Sequence, residues 1–278
     1  MSQQNKVHMN YQIIKNKAFI KISGADSLKF LQGIMSANVT IGRSTYALLL
    51  NPQGRYLSDF FISWVDDNSA ILELPIENKD QILAKLRMYK LRSDISLEDI
   101  SDEYFVVFSD KKIEDAYLSY LDPRFSHDDS DSPNSKCTFT RSIMQKAFEA
   151  KFLQNDSEFY NILKYDLPVI EGCDMIYEKS IPIEYGMEKF NAISFTKGCY
   201  IGQEVISRTK HTGVVRKKIY LAESEDHIHA KQSDEILIND RKMGKICSVW
   251  KNRAIILMND MMSNDGLYEV NGQRLEII

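Results

Sequence analysis

Hydrophobic positions recur along this chain with two different periods, and the period changes mark its elements. Phe19–Ile22 alternates as a strand does. Ser23–Ser27 then supplies capping residues for a helix over about Ser27 to Met35, with Leu28, Leu31 and Met35 at helical spacing. Strands are predicted at Tyr46–Leu50 and Tyr56–Val65, separated by the turn signal Asn51-Pro52-Gln53-Gly54. Another strand follows at Ile71–Leu74. Asn78 or Asp80 then caps a helix through about Tyr89, with Ile82, Leu83 and Leu86 on one face. Glu103–Phe108 reads as a strand, Lys112–Leu121 as a short helix, 126–135 as a polar loop, and Ser142–Tyr165 as helix-rich.

The pattern changes after Gly213. Val214–Leu221, Glu235–Ile238, Met243–Trp250, Ala254–Met258 and Leu267–Ile278 are short strand-like runs at regular spacing, the last broken by the hairpin signal Asn271-Gly272. The expected organisation is α+β over residues 1–212 and a small all-β domain over 213–278.

Composition narrows the function classes. The 278 residues are 44% hydrophobic and 27% charged, as in ordinary globular proteins. The net charge of −4 and pI near 5.8 give no general attraction to nucleic acid or anionic membrane. No apolar run reaches membrane-spanning length, and the polar N-terminal residues lack a signal-peptide core, so a cytoplasmic protein is expected. Cys137, Cys173, Cys199 and Cys247 form no Cys-x-x-Cys pair, and the five histidines lack ligand spacing. A structural metal site is not expected, and the thiols read as free.

The chemistry concentrates in Lys197-Gly198-Cys199-Tyr200-Ile201-Gly202-Gln203-Glu204. Two glycines flank a thiol that precedes a helix start, with a lysine nearby, a setting that favours a thiolate. Cys199 is therefore a candidate nucleophile, redox-sensitive thiol or iron ligand, although no histidine base lies close before His211. Gln203 and Glu204 either cap the helix or recognise a heterocycle. Arg208 to Lys218 holds five cations and could meet an anion or RNA, but it has no interleaved aromatics. Asp59 lies on a strand whose alternation could place it in a pocket. Cys137, Cys173 and Cys247 read as structural.

The same eight residues, continued by Val205-Ile206-Ser207-Arg208, resemble the signature of YgfZ-type folate-binding proteins. Phe30-Leu31-Gln32-Gly33, Asn51-Pro52-Gln53-Gly54-Arg55, Tyr89–Ser93, Asp122-Pro123-Arg124 and Ile181–Glu184 agree with that resemblance. It implies interleaved ferredoxin-like lobes of the T-protein type around a folate channel, with a C-terminal β-barrel. It also implies an accessory role in assembling or repairing iron–sulfur clusters, acting on client proteins or cluster carriers and indirectly on tRNA modification. Cys199 would be the reactive thiol and Lys197 its electrostatic partner. Gly198, Tyr200, Gly202, Gln203, Glu204, Arg208 and Asp59 would organise a site for tetrahydrofolate or a derivative. The alternative is a folate-dependent aminomethyltransferase. The chain departs from that enzyme at Ser58-Asp59, where the T-protein has paired aspartates. It also has Ser36-Ala37-Asn38 at the end of the first helix, and Lys164 where some relatives carry a pterin-binding glutamate.

Overall fold

A computed structural model describes residues 9–125, 139–153, 157–211, 215–239, 241–259 and 268–278. The loop expected at 126–135, Cys137 and the ends of several predicted segments lie outside those residues.

Strand β1 (Tyr11–Ile14) precedes the first strand expected from the sequence. β2 (Lys17–Ser23), helix α1 (Ser27–Ile34), β3 (Thr45–Leu50), β4 (Tyr56–Asp66), β5 (Ser69–Pro75), α2 (Lys79–Lys90) and β6 (Ser96–Asp99) follow. Five of these strands form one antiparallel sheet in the order β3-β4-β5-β2-β6. α1 and α2 bury Phe30, Leu31, Ile34, Ile82, Leu83 and Leu86 against one face of it. Tyr46, Leu48, Leu50, Tyr56 and Phe61 line the opposite face, which is also covered. That explains the near-continuous apolar character of β3 and β4, since a strand buried on both faces loses its alternation.

β7 (Tyr104–Ser109), β8 (Leu118–Leu121) and β9 (Thr140–Gln145) return to β1, giving a second sheet ordered β1-β7-β9-β8. The chain thus enters the second sheet, builds the first and comes back, so the two sheets interleave in sequence. The helix expected at Lys112–Leu121 is not formed; its last four residues are strand β8, paired with β9. The available ladder on β9, and the reach of Tyr120 Oη to Glu73 at 3.4 Å, outweigh local helical preference. The helix-rich reading of Ser142–Tyr165 is also corrected at its start, where β9 buries Arg141 completely. Helices α3 (Glu149–Leu153) and α4 (Phe159–Asp166) occupy the rest.

After 3-10 turns between Gly172 and Phe190 comes α5 (Gln203–His211), which starts where the sequence expectation put a helix. Strands β10 (Lys217–Glu223), β11 (Glu235–Ile238), β12 (Arg241–Trp250), β13 (Arg253–Asn259), β14 (Tyr268–Val270) and β15 (Gln273–Ile277) close into a six-stranded barrel. Ala222, Ile236, Ile246, Ile256, Val270 and Leu275 fill it. Asn271 and Gly272 both have positive φ, as the β14–β15 hairpin turn requires.

Candidate functional site

Two polar regions stand out against this apolar frame. The first is buried where the two sheets and the barrel meet. Arg141 from β9 is salt-bridged to Glu73 of β5 and lies 3.5 Å from Asp122. Arg124 forks onto Asp122 through Nε and Nη2, at 3.0 and 2.7 Å, and donates to Tyr160 Oη at 2.9 Å. Both guanidinium groups also lie over the Phe61 ring. Tyr160 Oη donates to Glu171 at 3.0 Å, and Lys164 Nζ donates to Glu171 at 3.1 Å and Asp174 at 2.9 Å. Ser248 of the barrel donates to the other Asp174 oxygen.

Mutual pairing decides the charge states here. Burial alone would raise the Glu171 carboxyl, but Lys164, Lys17 and Arg124 hold it well below the ordinary range. Burial alone would lower the Lys164 ammonium, yet Asp174, Cys173 and Glu171 keep it high. Asp59 joins the same junction. It is 1% exposed and accepts from Tyr46 Oη at 2.9 Å, Tyr56 Oη at 3.0 Å and Gly172 N at 3.2 Å. Gly172 packs so closely that an added Cβ would sit 2.0 Å from Asp59 Oδ1. Cys173, read from the sequence as structural, is exposed, and its Sγ lies 3.1 Å from Lys164 Nζ. Glu73, Glu171 and Asp174 were not singled out in the sequence. Isolated charges have no periodic signature, and only burial reveals them as partners.

The second region is the loop from Lys197 to Gly202. Its cysteine, Cys199, is exposed. Lys197 reaches back to the end of α1, where Nζ donates to the carbonyls of Gln32, Met35 and Ala37 at 2.9, 2.7 and 2.8 Å. A helix C-terminus leaves such carbonyls unpaired and favours a cation. Burial draws the Lys197 ammonium down to about 8. The lysine is thus a tether. Among the described residues no hydrogen bond links it to Cys199; its hydrogen bonds go to the end of α1.

Gly202 fixes the other end of the loop. Its φ is +83°, and an added Cβ would lie 2.6 Å from Asn51 O and 3.0 Å from the Gly54 Cα. The Pro52-Gln53-Gly54 turn and the cysteine loop therefore fit backbone to backbone. Gly198 has open space around it, with nothing within 4 Å of an added Cβ. Tyr200 is buried under the Lys197 ammonium, 5.4 Å from ring centroid to Nζ, and burial pushes its hydroxyl up to about 12. Gln203 begins α5. Glu204 and Arg208 form an exposed ion pair of 2.7 Å along that helix. The structure brings Lys197 to Gln203 together, whereas Asp59 belongs to the buried junction.

Comparisons with known proteins agree with this architecture. Residues 7–108 match the GCVT N-terminal domain. The mitochondrial iron–sulfur cluster assembly factor IBA57 homolog of Mycosarcoma maydis is 31% identical over 227 residues, covering 74% of this chain and 55% of that protein. The Pyricularia oryzae homolog is 30% identical, with 80% and 59% coverage. The Dictyostelium discoideum homolog is 27% identical, with 88% and 71% coverage. The chain therefore spans somewhat more than half the length of the fungal relatives. These relatives are named mitochondrial, which overturns the cytoplasmic placement expected from the sequence. Among the described residues no helix is long and apolar enough to cross a membrane. The crystal structure of the glycine cleavage aminomethyltransferase T from Bartonella henselae matches with a TM-score of 0.72 at 12% identity, over 96% of this chain and 84% of that one. The chain is thus similar in sequence to IBA57-type iron–sulfur cluster assembly factors and shares the fold of the glycine cleavage T-protein.

Proposed function

We propose that this protein supports the assembly or repair of iron–sulfur clusters in client proteins, with Cys199 as the ligand it offers to the cluster's iron. The observation that carries this reading is an exposed thiol on a loop pinned at both ends, by Lys197 on α1 and by Gly202 on the Asn51–Gly54 turn. Pinning limits the entropy lost when a ligand is bound. The step is a ligand exchange. An iron–sulfur bond forms at Cys199 as one to a carrier thiolate breaks, and the Cys199 proton passes to the departing thiolate. The cluster is cargo, and Gly198 leaves open space beside the thiol for it.

Tetrahydrofolate, which the fold resemblance implies, does not fit the acids of the junction. A pterin presents N–H donors that need unengaged carboxylate acceptor sites, of which a carboxylate has about four. Asp59 already accepts three donors. Glu171 is taken by Tyr160 and Lys164, and Asp174 by Lys164, Ser248 and the Glu171 N–H. One-carbon transfer through Asp59 is accordingly outside the proposed activity.

The test is client activity in cells lacking the endogenous protein. Cells carrying Cys199→Ala should show lower [4Fe–4S] enzyme activity than wild type at equal protein level. tRNA methylthiolation, where it depends on such enzymes, should fall in parallel. Equal support by both proteins would remove the thiol from the mechanism.

A further inference from the structure

Helix α2 ends in a turn that its own sequence strains. Ser93 N donates to Lys90 O at 2.9 Å, and Leu91 between them has φ +47° and ψ −111°. This is the first inner position of a type II′ turn, where glycine is normal because a Cβ crowds the backbone. The chain instead places leucine there, with its side chain 86% exposed. Met88, one helical turn earlier, is 60% exposed. Strain at a residue that buries nothing works against the fold and marks a candidate for a role outside it.

The surroundings define that role. Lys85, Arg87, Lys90 and Arg92 lie within three residues of Met88 or Leu91 along the chain, in a protein whose net charge is −4. Among the described residues none of the four pairs with a carboxylate. An exposed apolar centre within a charged rim is the usual anatomy of a protein-binding patch. The centre is aliphatic, so it offers no stacking platform for bases.

The patch is also connected to the thiol loop. Asp94 N donates to Asp26 Oδ2 at 2.8 Å, and Asp26 N donates to Asp94 O at 3.2 Å, joining the strained turn to the start of α1. Lys197 holds the other end of α1. The helix has eight residues, and so is about 12 Å long. α1, α2 and Ile201 all pack on the same hydrophobic cluster, on one face of the first sheet.

We propose that the Lys85–Arg92 corner is a docking surface for an acidic protein that carries an iron–sulfur cluster, with Met88 and Leu91 as its apolar anchors. The identity of the cargo rests on the function proposed above; the surface itself does not. Complementary charge speeds encounter and sets orientation, and the anchors supply affinity. Docking here would seat the carrier beside the end of α1 opposite to the one that Lys197 holds, on the element that anchors the Cys199 loop.

The experiment uses the full chain in cells, with a photoreactive residue at position 88 and mass-spectrometric identification of the adduct. The expected adduct is an acidic iron–sulfur protein. It should be lost with Lys90→Glu/Arg92→Glu and weakened about tenfold by Leu91→Gly. Leu91→Gly should also melt at or above the wild-type temperature, because glycine relieves the turn; this separates docking from folding. An adduct with RNA or with a basic protein, or one indifferent to these variants, overturns the proposal. Cys199→Ala should keep the adduct. If it does and also supports clients fully, the docking surface stands while the thiol mechanism falls.

Discussion

The junction between the sheets and the Cys199 loop are both polar, yet they face opposite demands. At the junction, Arg124, Arg141, Lys164, Asp59, Asp122, Glu171 and Asp174 are buried and each has at least one partner within the protein, while Arg141 Nη1 has no hydrogen bond among the described residues. In the loop, Lys197 and Gly202 hold the backbone, and Cys199 is left at the surface. The difference lies in where each group finds its partners. Asp59, Glu171 and Asp174 accept hydrogen bonds from the protein's own donors, whereas the Cys199 thiol is exposed.

The sharpest way to break this comparison is Arg141→Met. It leaves Glu73 buried without its salt bridge, and a loss of about 3–5 kcal/mol is expected in denaturant unfolding. Cys199→Ala should change stability by less than about 0.5 kcal/mol in the same assay. A neutral Arg141→Met would show that the junction is not held by pairing. Next in size is Lys197→Ala, which uncovers the carbonyls at the end of α1 and should cost about 1–3 kcal/mol. Hydrogen exchange should then rise in the loop from 197 to 202 while the junction stays protected.

A third measurement reads the junction through pH. Glu171 is held below its ordinary value, so the unfolded chain binds its proton first as the solution is acidified. Its stabilisation is complete above the unfolded value near 4.3 and is lost as pH falls toward the folded one. Wild type should therefore lose stability more steeply than Glu171→Gln below about pH 4.3, by at most about 1.4 kcal/mol per pH unit. Identical slopes would remove Glu171 from the pairing scheme. The smallest effect belongs to Glu204 and Arg208, whose exposed ion pair should yield a coupling of about 0.3–0.5 kcal/mol in a double-mutant cycle. A much larger coupling would mean that this part of the loop region is as closed as the junction.

Periodicity made much of the fold readable. α1 and α2 present apolar faces at helical spacing, the Asn51–Gly54 and Asn271-Gly272 turns carry their own backbone chemistry, and the barrel strands recur after Gly213. β8 and β9 were misread because Leu118–Leu121 and Thr140–Gln145 become strands through each other, and ladder pairing between distant segments leaves little trace in either one. The cysteine loop was legible as a unit because its glycines and its thiol are adjacent in sequence. The partners of its lysine were not, since the carbonyls of Gln32, Met35 and Ala37 lie about 160 residues away and every residue has a carbonyl.

The sequence by itself determined the identity of the thiol, the flexible positions around it, the helix that follows and the β-rich C-terminal part. These depend on local residue types and on periods of two and 3.6. Tertiary structure alone decided that Lys197 is tied to the end of α1, that Asp59 is enclosed by two tyrosines and Gly172, and that Cys199 faces solvent. The physical reason is that the availability of a charge or a thiol depends on desolvation and on hydrogen-bond partners, and folding brings those from remote parts of the chain.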